Sequence, residues 1–115
     1  MQLSTPAPTA AQLPPIVSDA MRRVADAERE LDRVYPLFAT KLDDREASPT
    51  GAQASRELKA FIADLKVAHG AAIQALRCWS LRKGSVEAAA AAYESLATLI
   101  EQFARRASLD STELD

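Results

Sequence analysis

The sequence predicts an all-α protein: an antiparallel bundle of three long helices, the first of them kinked at a proline. Three observations carry this reading. Alanine is frequent, glycine occurs three times and Val, Ile and Thr are sparse, which leaves almost no material for a sheet. Apolar residues recur at alternating three- and four-residue spacing over three stretches. Turn residues, Ser48-Pro49-Thr50-Gly51 and Gly84-Ser85, separate those stretches. At 115 residues and 48% hydrophobic content, one domain can bury a modest core without metal or disulfide.

Residues 1–15 hold Pro6, Pro8, Pro14 and Pro15 and no charged side chain, so they read as a flexible arm. The bundle is expected over 16–109, followed by a short acidic tail at 110–115. The first helix is predicted near 16–46, with Val17, Met21, Val24, Glu28, Leu31, Tyr35, Phe38 and Leu42 in one seam. Glu28 reads as a side chain reaching out at the seam's edge. Pro36 removes the hydrogen bond to the Asp32 carbonyl and is expected to kink or briefly break the helix. Tyr35 and Phe38 beside it read as core.

The second helix, near 50–83, looks like the one the others are organised around. Thr50 and Gln53 fit a capping box at its start, and Gly84 suits the left-handed position after its end. Its main apolar face includes Leu58, Phe61, Leu65, His69, Leu76 and Trp79, a stripe wider than one neighbour covers. A second row, Val67, Ala71, Gln74, Cys78 and Leu81, points roughly the opposite way. The third helix, near 85–108, opens with Ser85 as cap. Its row Val86, Ala89, Tyr93, Leu96, Ile100, Phe103 and Ala107 should pack on the main face of the second. Ala88 to Ala92 reads either as a groove for a partner helix or as plain helix-forming sequence that permits close backbones.

The net charge is −2, which disfavours nucleic acid. By segment it is −2 over 16–47 (eight acids, six bases), +4 over 48–84 (two acids, six bases) and −4 over 85–115 (six acids, two bases). Complementary helices attracting one another is one reading; an acidic partner steered to the basic helix is the other. The bases lack the Asn or Gln clusters of a base-reading helix.

No catalytic set is present, so the chain does not read as an enzyme. His69 is the only histidine and, placed in the apolar face, is expected to be buried and neutral. A phosphotransfer histidine would be exposed beside a base, as Lys66 would allow, but Gly70-Ala71-Ala72 is not the Lys-Gly that follows it in such domains. One His and one Cys cannot make a zinc site, no cofactor motif occurs, and Cys78 has no second histidine-type base. The lone cysteine, the lack of a signal-peptide pattern and the absence of an apolar run near the roughly 20 residues that span a bilayer point to a cytosolic protein.

The end of the arm, Leu13-Pro14-Pro15, the opening Asp19-Ala20-Met21-Arg22 of the first helix, a second long helix and a single cysteine resemble the small all-helical antiactivators of bacterial quorum sensing. The resemblance covers residues 13–81, and the third helix departs from it. It implies a homodimer that sequesters a LuxR-type transcription factor by occupying its dimerisation or DNA-binding surface. A secretion chaperone or immunity-type protein, or a structural bundle subunit, are the alternatives. The surplus apolar row assigns a binding or dimer surface to Val67, Ala71, Gln74, Cys78, Trp79 and Leu81, rimmed by Arg77 and Arg82.

Overall fold

A computed structural model describes residues 13–45 and 47–113. It consists of α1 (Pro15–Arg45), α2 (Pro49–Ser80) and α3 (Val86–Glu113). Short connections make consecutive helices antiparallel, so α1 and α3 run the same way. The proline arm lies outside the described residues except for Leu13 to Pro15. Pro14 starts α1 by accepting from the Val17 and Ser18 amides, each at 3.0 Å, and Pro15 occupies the first turn, where its missing N–H costs nothing.

α1 runs through Pro36 without a break. Pro36 faces solvent, so water can satisfy the Asp32 carbonyl that loses its donor. The Thr40 hydroxyl donates to the Pro36 carbonyl at 2.9 Å. The buried side of α1 differs from the predicted seam. Ala20, Ala27 and Val34 are inside, while Glu28 and Tyr35 are exposed and Met21 is half-buried. A straight helix has 3.6 residues per turn, so a row drawn at 3.5 drifts around it by about 20° per heptad. The drift carries Glu28 onto a flank.

Ser48, not Thr50, caps α2: its Oγ accepts from the Gly51 amide at 3.0 Å and its hydroxyl donates to the Arg45 carbonyl at 2.7 Å. Pro49 follows in the first helical turn, its favoured place. At the other end Lys83 N–H donates to the Cys78 carbonyl at 2.7 Å and Arg82 N–H to that of Trp79 at 2.9 Å, a paired C-terminal closure. The left-handed residue is Arg82, with φ of 60°, and not Gly84. Gly84 serves close approach instead, since a Cβ there would lie 3.0 Å from Cys78 Cβ. Ser85 caps α3 as expected, its Oγ accepting from Ala88 N–H at 3.0 Å. α3 continues to Glu113, so Arg105 and Arg106 fall short of its last turn.

The helix in the middle is α3, not α2. Its pairing with α1 is the most extensive in the molecule, its pairing with α2 is smaller, and α1 and α2 barely touch. Ala89, Ala90, Ala97, Ala104 and Ala107 are buried, and such small side chains let neighbouring backbones close in. Val17 of α1 packs with Ala89 and Ala90, so these two of the alanine run are core, while Ala88 and Ala91 are exposed and Ala92 is half-buried. Tyr93, Leu96, Ile100 and Phe103 are buried as predicted, and burial pushes the Tyr93 phenol above its usual range. Phe103 meets Phe38 of α1 edge to face, centroids 5.9 Å apart, and stacks on Phe61 of α2. α2 contributes only Gly51, Ala54, Phe61 and Ala72 to the fully buried set. No described helix is long and apolar enough to cross a membrane.

Candidate protein-binding surfaces on the second helix

Because α2 leans on α3 through one narrow strip, most of its circumference faces outward. The predicted row is in the open: Val67 is 74% and Leu81 59% exposed, and Ala71 and Gln74 are exposed as well. Cys78 is half-buried and takes a 3.6 Å hydrogen bond from the Gln74 side-chain amide. Arg77 and Arg82 are exposed at its end. Trp79 does not join this row. It is half-buried against the small cluster of Val17, Ala89 and Ala90, about 100° further round the helix from Cys78.

The charge pattern is resolved in an unexpected way. Among the described residues, ion pairs join different helices between Arg23 of α1 and Glu101 of α3 at 2.7 Å and between Arg106 of α3 and Glu57 of α2 at 3.1 Å. In the second, the basic helix supplies the acid. Arg23 also donates to Thr98 Oγ1 at 2.9 Å. Its guanidinium holds the Glu101 carboxyl below the usual range against a smaller opposing effect of burial. Further pairs, Asp19–Arg22, Asp26–Arg29 and Glu30–Arg33, lie within α1. Lys59, Lys66, Arg77, Arg82 and Lys83 make no ion pair with any described residue, and Arg56 bonds only to Gln53. Attraction between oppositely charged helices therefore does not consume the basic charge of α2.

A second feature was not foreseen. Between α1 and α2 runs a groove of about 650 Å³ floored by Tyr93, Leu96 and Ile100 of α3. Met21, Leu31 and Leu65 give it apolar walls. Glu28 and Asp32 stand on the α1 bank, Lys66 and His69 on the α2 bank, and none of these four forms an ion pair with a described residue. His69 is exposed rather than buried, because α1 does not close over this flank of α2. Two carboxylates across the groove give a phosphorylated imidazole an unfavourable setting, and no described cluster of His, Cys, Asp and Glu is suited to a metal.

A heptad signal for the groove was present in the sequence. Met21, Ala25, Glu28, Asp32 and Tyr35 are spaced 4,3,4,3, and Ile62, Lys66, His69 and Ile73 are spaced 4,3,4. Each is a row whose middle is polar, which is why neither stands out as an apolar seam. Ile62 and Ile73 remain 43% and 42% exposed. No family model, curated protein or solved structure matches this chain.

Proposed function

We propose that this protein is a non-enzymatic regulator that holds an acidic partner protein stoichiometrically on the outer row of α2. One observation carries the reading: Val67 on α2 and Leu81 at its C-cap are exposed beside Lys66, Arg77 and Arg82, which form no ion pair with any described residue. An apolar centre with a charged rim suits a partner helix or patch of opposite sign; the anchors set affinity and the rim sets the rate of encounter. Val67 and Leu81 are the anchors, with Arg77 and Arg82 at the rim. The resemblance to quorum-sensing antiactivators makes a LuxR-type transcription factor the first partner to test.

The test compares wild type with a Val67→Glu, Leu81→Glu double variant. Both positions are exposed, so helix content and melting should be unchanged. The expected result is stoichiometric capture of one protein by wild type and none by the variant, with association slowing as salt rises. Unchanged affinity in the variant would remove the binding site from this row.

A further inference from the structure

We infer that the groove between α1 and α2 is closed by a second copy of the same chain, forming a six-helix dimer around a two-fold axis that lies along the groove. The basis is the placement of charge on its banks, independent of the partner surface on the outer row. Glu28 and Asp32 line one side and Lys66 and His69 the other, around the same floor residues. A two-fold axis parallel to the helices lays α1 of each copy over α2 of its mate. Both acidic positions then meet the mate's Lys66 and His69, and each contact occurs twice. An axis crossing the groove would instead set α1 on α1, acid against acid. The face is self-complementary in one arrangement only.

The apolar content of the banks fits the same closure. Ile62 and Ile73 flank the α2 charges one turn to either side, and Met21 and Tyr35 bracket the α1 row. Covering them removes from water large apolar groups that the monomer leaves exposed or half-exposed. Polar and charged residues at the middle of each heptad row fix the register and the pairing of one helix with another. The outer row of α2 is a poorer dimer seam, because a copy placed there would bring Arg77 and its basic neighbours against their own images. Cys78 lies on that outer row, so dimerisation through the groove does not bring two Cys78 side chains together.

The experiment uses two charge variants of the full chain. Glu28→Lys with Asp32→Lys makes both banks basic; Lys66→Glu with His69→Glu makes both acidic. All four positions are exposed, and circular dichroism verifies that each variant is folded. In sedimentation at micromolar concentration, wild type should run at twice the 12.4 kDa chain mass. Each variant alone should run as a monomer, and an equimolar mixture should restore a dimer containing one chain of each. A monomeric wild type overturns the proposal. So does a variant that dimerises as wild type does, or a mixture that stays monomeric.

Discussion

Phe61 of α2 lies flat on Phe103 of α3, ring centroids 4.0 Å apart and planes within 7° of parallel. Phe103 also takes the edge-to-face contact from Phe38 of α1, so this one ring touches both neighbouring helices. Phe103→Ala should therefore cost about 3–5 kcal/mol, the range for a buried aromatic removed to alanine. Urea unfolding checks it. A loss under about 1 kcal/mol, the level of a surface change, would show that the three rings do not form a shared centre.

The glycines of α2 should respond in opposite directions to alanine. A Cβ at Gly51 would stand 1.8 Å from the Arg45 carbonyl oxygen, whereas a Cβ at Gly70 would meet nothing within 4 Å. Gly51→Ala must push the end of α1 away from the start of α2. A destabilisation of at least about 1–3 kcal/mol, as for other overpacked sites, is expected. Gly70→Ala should instead stabilise by about 0.5–1 kcal/mol, the cost of glycine within a helix. Thermal melts of the two variants beside wild type decide both.

Arg82 holds a left-handed backbone with φ of 60°, a conformation that costs an L-residue about 1–2 kcal/mol. Arg82→Gly should raise stability by about 1 kcal/mol, measured by denaturant midpoint at unchanged slope. If the variant is less stable than wild type, the Arg82 side chain contributes more than the strain it imposes.

Glu101 supplies the clearest pH dependence. Its carboxyl is held below the usual range, chiefly by the hydrogen bond from Arg23. A lowered folded value means that the stabilisation is complete above the unfolded pKa of about 4.3. It is lost as pH falls through the folded value. Glu101→Gln should thus melt below wild type at neutral pH, by the small margin of a solvent-facing pair. The two curves should converge as pH drops below about 4. A gap that persists once both side chains are neutral would mean that the pair does not act through charge.

The fold was legible because it rests on local rules that act within a turn or two of chain. Alanine content and three- and four-residue spacing specify helices, Ser85 caps α3, and the row from Ala89 to Ala107 finds the core. Even the capping error at α2 was readable: a proline preferred in the first helical turn makes Ser48, not Thr50, the residue before it. The candidate surface was legible in part. The row Val67 to Leu81 points away from the main apolar face by arithmetic alone, and apart from the half-buried Cys78 it lies in the open.

Which helix stands in the middle could not be read from rows, because α2 and α3 both carry apolar faces and the choice depends on how closely backbones approach. The alanines of α3 allow α1 to pack tightly against it, and that contact leaves α2 covered on one side only. Everything that follows is tertiary: His69 turns out to be exposed, Trp79 is drawn toward Val17, the bases of α2 form no ion pair with a described residue, and a groove opens whose banks come from different helices. Sequence spacing sets which side chains share a face of one helix, but the distance between two faces is set by the volume of the side chains packed between them.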